Sequence, residues 1–157
     1  MLPDLRAEID RQGGYETGDG PEPVVSLELF FEGNDDLGSI GCNLVDHPGI
    51  PEFFAVLRDL RDRVEVHDVL VGISEVLGPD EWPFADHVYV VTSASARQVE
   101  NWAARLRPDE PGSDWWNGVP PAREISLPAG MRLVTLWWDR TCPESDAAPT
   151  GAGGEAV

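Results

Sequence analysis

Three histidines are the side chains with the clearest capacity for metal or acid–base chemistry: His47, His67 and His87. No HxxxH or HExxH pattern occurs in the sequence, so no two of them share one face of a helix. A zinc site would therefore have to be assembled entirely by the fold. His87 lies in an alternating run next to Tyr89, which favours a structural or surface role for this histidine.

Three carboxylates cluster in a turn that contains glycine: Glu32, Asp35 and Asp36. Hard carboxylate oxygens are the ligands that calcium and magnesium prefer. The alternating D-x-D-x-D pattern with a late Glu is absent, however, so the spacing does not match a calcium loop. We therefore interpret this cluster as a solvated turn and predict no metal site.

The sequence lacks the usual arrangements for nucleophilic or phosphoryl-transfer chemistry. It contains neither a G-x-S-x-G elbow nor a GxxxxGK[ST] loop. Cys42 and His47 lie close in sequence, but catalytic partners meet in space rather than along the chain. The two cysteines, Cys42 and Cys142, are far apart, and we expect both to be free and reduced. We predict no catalytic residue and no cofactor.

Tryptophan is unusually abundant, and three of the six tryptophans lie in loops among prolines and acids. Loop aromatics can anchor a partner protein, because they bury a large area with little loss of entropy. Alternatively, the loops fold back and bury their own rings against the sheet. The residues predicted to bind a partner are Asp35, Asp36, Trp82, Trp115 and Trp116.

These residues must be positioned by a hairpin and a helix that span residues 69–106. Residues 69–76 and 87–93 alternate in polarity and are rich in β-branched and aromatic residues, which predicts two strands joined by a long loop. The following helix has Ser95 and Gln98 at capping-box spacing and ends before Pro108. Its apolar stripe includes Trp102, which we expect in the core.

The remaining elements suggest a small α+β domain. We predict a short helix at 2–12, strands at 24–32 and 131–138, a helix at 51–63 and a weaker strand at 39–44. The order is that of a ferredoxin-like βαββαβ sandwich, with an extra strand after the first if residues 39–44 pair. Both helices would cover one face of a mainly antiparallel sheet. The other face would meet solvent, the chain's own loops or a partner.

The domain organisation follows from composition. Residues 1–23 read as an N-terminal extension and linker, residues 24–139 as one α+β domain, and residues 140–157 as a disordered tail. The net charge is −18, and 24–139 retains −12 of it because the first 23 residues contribute −4 and the tail −2. Such a field repels nucleic-acid phosphates and anionic membranes and attracts a basic partner.

The N-terminus lacks the basic and apolar layout of a signal peptide, and no apolar run reaches transmembrane length. We therefore expect a cytoplasmic protein.

Two functions remain open at this point. The first is a non-catalytic interaction domain, such as an inhibitor or immunity-type protein, that binds a basic protein or a second copy of itself. The alternative is a small-molecule-binding protein or an enzyme that uses the open sheet face as a pocket wall. Its polar groups would be Glu32, His47, His87 and Tyr89.

Overall fold

The computed structural model describes residues 1–15 and 20–139. Its helices are α1 (Leu2–Arg11), α2 (Leu27–Phe31), α3 (Ile50–Arg61) and α4 (Ala96–Trp102). Its strands are β1 (Val24–Ser26), β2 (Val66–Glu75), β3 (Phe84–Thr92) and β4 (Arg132–Trp137). Short 3-10 turns lie at Leu37–Ser39, Ala104–Leu106 and Trp116–Gly118. No helix within the described ranges has the length and apolar character needed to span a membrane.

The four strands form one sheet whose spatial order follows the sequence, β1-β2-β3-β4. All three neighbouring pairs are antiparallel, with Val71 opposite Val88 and Val90 opposite Val134. The α+β class is thus confirmed. The ferredoxin-like strand order is not confirmed, because β1 and β2 are direct antiparallel neighbours, whereas a split βαβ unit places another strand between two parallel ones.

The apolar segment 24–32, predicted as one strand, divides into β1 and α2. The Oγ of Ser26 accepts a hydrogen bond from the Leu29 N–H at 3.1 Å, which caps the helix at the point where the strand ends. Leu27, Phe30 and Phe31 then share one buried helical face. An apolar run of this length is compatible with the two-residue period of a strand and with the 3.6-residue period of a helix. The serine cap favours the helix.

The weaker strand predicted at 39–44 does not form. Asp36 accepts a hydrogen bond from the Gly38 N–H at 3.0 Å and caps the turn Leu37–Ser39, and residues 40–44 form a bend and a turn instead of a strand. Cys42 is also not a free thiol, contrary to expectation, because it is disulfide-bonded; Cys142 lies outside the described residues.

The central hairpin and its helix agree with the prediction. Ser95 and Gln98 form the capping box at the start of α4, and the helix is followed by the turn Ala104–Leu106. Trp102 is only half-buried, with the Arg63 guanidinium 4.2 Å from its ring centroid.

The helices pack on one face of the sheet and enclose the main core, which we call the inner face. Phe30, Phe53, Leu57, Val88 and Val90 are fully buried there. The segment predicted as an N-terminal extension contributes as well, because Leu5 and Ile9 of α1 belong to the same core.

The opposite, outer face is covered by residues 108–131, which we call the cover segment. Its Ile125 packs on Leu70, Tyr89 and Val91, and Trp115, Trp116 and Met131 pack on the same cluster. Of the two arrangements considered for the loop tryptophans, Trp115 and Trp116 adopt the one in which the loop covers the sheet.

Both edge strands have backbone partners outside the sheet. The Gln12 side-chain amide donates to the Val24 carbonyl at 2.8 Å and accepts from the Val24 N–H at 3.0 Å. At the other edge, Gly112 and Thr135 exchange backbone hydrogen bonds of 2.9 and 2.8 Å. The cover segment therefore begins as a partner of β4 before it crosses the outer face.

Candidate functional site: a buried histidine cluster and an acidic end

Strand β3 places His87 and Tyr89 on the outer face of the sheet, where both are fully buried. The pairing with β2 is irregular at this point: His87 lies opposite Gly72, whereas Ala85 lies opposite Ile73. The extra residue in β3 is Asp86, which turns its carboxylate toward the ring of its neighbour. Irregular pairing of this kind changes the direction in which a side chain points. Here it brings the Asp86 carboxylate to the His87 ring.

Two carboxylates hold the His87 ring. Asp86 Oδ1 lies 2.6 Å from His87 Nδ1, and Glu22 Oε1 lies 2.6 Å from His87 Nε2. Glu22 comes from the segment directly before β1, 65 residues away in sequence, and it is also buried. We refer to Glu22, Asp86, His87 and Tyr89 as the His87 cluster.

Tyr89 connects this cluster to the cover segment. Its hydroxyl donates a short hydrogen bond to the Glu22 carboxylate and accepts one from the Trp116 backbone N–H at 2.8 Å. The Trp116 ring stacks on the His87 ring, with centroids 4.6 Å apart and planes at 10°. Trp115 meets the Tyr89 ring edge-on at 5.4 Å.

Gly72 makes room for the His87 ring from the side of β2. A Cβ atom at this position would lie 2.1 Å from His87 Nε2, far inside contact distance. Glycine inside a strand often marks such a close approach. The ring thus lies between the backbone of β2 and the indole of Trp116.

The two neighbouring carboxylates favour the protonated form of the His87 ring. Burial by itself lowers the pKa of this imidazole, but the hydrogen bonds and charges of Asp86 and Glu22 outweigh burial, and the net effect raises the pKa. Burial, followed by the Glu22 charge, raises the pKa of Tyr89, so its hydroxyl stays protonated and acts as the donor to Glu22.

This arrangement is suited to holding segments together and poorly suited to catalysis. Both ring nitrogens of His87 are committed to carboxylates, and the ring has no exposed surface. A general base needs a nitrogen within hydrogen-bond reach of a substrate, which the closed cluster does not provide. Within residues 1–15 and 20–139, no group of three or more His, Cys, Asp or Glu side chains is arranged to hold a metal ion.

A second region of interest lies at one end of the molecule, where residues 1–6, 32–37 and 78–82 meet. The Arg6 guanidinium donates to the Gly78 carbonyl at 3.1 Å, and the Trp82 indole donates to the Phe30 carbonyl at 2.9 Å. The Met1 sulfur lies against Gly33. The three segments carry the carboxylates of Asp4, Glu32, Asp35, Asp36, Asp80 and Glu81, and Asp4 lies 3.5 Å from the Met1 ammonium. We call this group the acidic end.

Arginines are more numerous on and directly after α3 and α4, and two of them are paired with glutamates. Arg61 forms two hydrogen bonds with Glu28, at 2.9 and 2.6 Å, and these lower the pKa of the glutamate. Arg105 pairs with Glu52. Ion pairs between arginine and glutamate side chains thus join these helices to their neighbours, whereas the ion pair seen at the acidic end joins Asp4 to the Met1 ammonium at 3.5 Å.

The residues predicted from sequence to form a site are distributed over separate regions. Asp35 and Glu32 are exposed at the acidic end, and Asp36 caps a turn there. Trp82 is only 8% exposed and belongs to the inner core. His47 contacts Phe53 on the inner side, and its Nε2 lies 2.7 Å from the Ile40 carbonyl oxygen, so it does not join His87.

Sequence reasoning missed Glu22, Asp86 and Gly72. The Asp86-His87 pair at the start of a strand and the glycine inside β2 were visible signals of an unusual register and a close approach. Glu22 carried no such signal, because it stands between two prolines in a segment whose composition is that of a linker.

Comparison with known proteins gives one consistent result. Residues 2–136 match the model described as the Uncharacterized protein YfbO family. The chain is 36% identical over 135 residues to the Uncharacterized protein YfbO of Escherichia coli (strain K12), which covers 83% of this chain and 93% of that protein. The comparison with solved structures found no match. The matched region contains the whole His87 cluster and the whole acidic end, and the chain belongs to the YfbO family.

Proposed function

We propose that this protein is a non-catalytic interaction domain that binds a basic partner protein through its acidic end. The observation that carries the proposal is that three chain segments, which together hold six carboxylates, meet at one end of the molecule. The cations in those segments are Arg6, which donates to the Gly78 carbonyl, and the Met1 ammonium, which pairs with Asp4 at 3.5 Å. An excess of carboxylates at one end of a protein steers a basic partner and raises its association rate.

Two exposed apolar side chains among these carboxylates favour a protein as the partner. Met1 is 65% exposed and Leu37 is 53% exposed. In protein interfaces, charged residues at the rim guide the encounter, whereas apolar side chains lose water at the centre and slow dissociation. The proposed surface thus contains both kinds of group.

The alternative of a pocket on the open sheet face has no comparable support. The cover segment packs on that face, and His87 and Tyr89 are buried beneath it. Glu32 and His47, the other polar groups of that hypothesis, lie away from the outer face. Ligand chemistry at this face would require the cover segment to leave.

A matched pair of charge variants tests the proposal. The first variant combines Glu32→Gln, Asp35→Asn, Asp80→Asn and Glu81→Gln, all at exposed positions of the acidic end. The control combines Asp10→Asn, Asp46→Asn, Asp59→Asn and Glu124→Gln, which are also exposed and change the net charge equally. Affinity capture from the native host is performed with wild type and both variants, followed by quantitative mass spectrometry.

We expect a basic protein to be captured by wild type and the control but lost by the acidic-end variant. Its association rate, measured by surface plasmon resonance, should fall as salt rises, because charges are screened beyond about 10 Å at 0.1 M ionic strength. Identical capture by all three proteins would contradict the proposal, as would an association rate that does not depend on salt.

A further inference from the structure

The His87 cluster is where two segments outside the sheet are attached to it. Glu22 belongs to the N-terminal segment, and its backbone carbonyl accepts a hydrogen bond from the Ala122 N–H at 2.8 Å. The Trp116 backbone N–H in the cover segment donates to the Tyr89 hydroxyl, and the Trp116 ring stacks on the His87 ring. The N-terminal segment, the cover segment and β3 therefore share one hydrogen-bonded network.

With Glu22 and Asp86 ionised, this network is complete only when His87 carries two N–H protons. Each ring nitrogen faces a carboxylate oxygen at 2.6 Å, and a carboxylate only accepts. A neutral imidazole has a single N–H, so on losing a proton the ring would direct a lone pair at one of the two oxygens. In a buried site such a contact is repulsive and leaves polar atoms without a hydrogen bond, which is costly.

The other groups around His87 offer no compensation for that loss. The titratable groups that face the ring are Glu22 from the N-terminal segment and Asp86 and Tyr89 from β3. Strand β2 contributes Gly72 and the cover segment contributes Trp116, and neither carries a charge. Tyr89 already donates its proton to Glu22. Deprotonation of His87 would therefore weaken its hydrogen bond to Glu22 directly. Through Tyr89, it would also weaken the hydrogen bond of the Trp116 backbone N–H.

We propose that the His87 cluster is a pH-sensitive attachment that holds residues 112–122 of the cover segment on the outer sheet face and releases them when His87 loses a proton. Release exposes Trp115, Trp116 and the polar side chains beneath them, while the inner core stays packed. The physical basis is the one that makes histidine the usual pH switch, with the closed form stabilised by charge. This inference does not depend on the acidic end.

Hydrogen–deuterium exchange of the wild-type chain between pH 6 and 9.5 tests the inference, with protection factors corrected for base-catalysed intrinsic exchange. Protection in 112–122 should fall as pH rises, while protection in α3 stays constant. The total rise in the equilibrium constant for opening depends on the difference between the pKa of His87 in the closed form and in the open form. It is about tenfold for each pKa unit of that difference. The fall in protection should level off at the pH at which the His87 ring titrates in the closed form, measured by ¹⁵N NMR with His47→Gln and His67→Gln for assignment.

Constant protection in 112–122 would overturn the inference, as would a fall shared with α3 or a fall that continues unchanged above the pH at which the ring titrates. His87→Gln removes the titration, so its protection profile should be flat, and a wild-type profile in this variant would equally overturn it. If His87→Gln does not fold, Tyr89→Phe serves instead. It removes the acceptor of the Trp116 N–H but leaves the imidazole, so protection should be lower at pH 6 and change less with pH, and an unchanged profile would be decisive against the inference.

Discussion

The two faces of the sheet are buried by different kinds of contact, and β3 contributes side chains to both. On the inner face, Val88 and Val90 pack against helices in an apolar core. On the outer face, His87 and Tyr89 of the same strand pack under a loop and are held by carboxylates and indole rings. Burial is complete on both sides, so exposure alone does not distinguish them. The inner face is held by apolar packing, whereas the outer face also contains a buried hydrogen-bonded cluster.

The largest expected effect lies on the inner face. Phe53 is fully buried and contacts Trp138 at 5.3 Å between ring centroids. Phe53→Ala should lower the free energy of unfolding by about 3–5 kcal/mol, because it removes apolar contacts and leaves a cavity. Urea denaturation measures this, and the loss should be the same at pH 6 and pH 9. A loss that varied strongly with pH in a His47→Gln background, which removes the imidazole in contact with Phe53, would show that the two faces are not independent.

Gly72→Ala tests the close contact on the outer face. The added methyl would meet His87 Nε2, and that ring cannot move aside because both of its nitrogens are bonded and Trp116 stacks on it. We expect a loss of about 1–3 kcal/mol by urea denaturation. Gly112→Ala is the matched control, since its methyl would approach the Thr135 Cβ at an ordinary 3.9 Å. Equal effects of the two substitutions would contradict the packing described for His87.

The pH dependence of stability should separate the faces further. The pKa of His87 is raised in the folded protein, so its contribution is fully present below the unfolded value of about 6.5 and is lost as pH rises through the folded pKa. The free energy of unfolding can fall by up to about 1.4 kcal/mol per pH unit in this range. Urea denaturation of wild type and His87→Gln from pH 6 to 9.5 measures it. A slope of equal size in both proteins would assign the pH dependence to another group.

The smallest effect is expected at the acidic end. Glu32→Gln and Asp35→Asn lie at exposed positions, so each should change the free energy of unfolding by no more than about 0.5 kcal/mol. Thermal and urea denaturation of the single variants would check this. A larger loss would mean that these carboxylates stabilise the fold. The binding experiment would then need substitutions at other positions of the acidic end.

The elements that the sequence predicted well are those whose signals are local. The capping box of Ser95 and Gln98 and the alternation in β2 and β3 depend on residues a few positions apart. The division of 24–32 into strand and helix was missed because the same apolar residues fit both periods until the Ser26 cap is recognised.

The His87 cluster could not be predicted, because it depends on one contact between residues 22 and 87. Nothing near Glu22 indicates that it returns to the sheet, and the register of β3 against β2 sets the direction of the Asp86 side chain. The acidic end was foreseen only in part. Asp35 and Asp36 were recognised as a cluster, but Asp4, Asp80 and Glu81 join them only through the fold.

The backbone partners at both edges of the sheet also bear on how copies of this chain behave at high concentration. An open edge strand recruits strands from other molecules, which is a common first step in aggregation. Here Gln12 occupies the backbone groups of Val24, and Gly112 occupies those of Thr135. The three-residue β1 leaves little edge in any case. Sheet extension is therefore blocked at both ends, and this domain should remain dispersed under conditions in which a sheet with free edges would form fibrils.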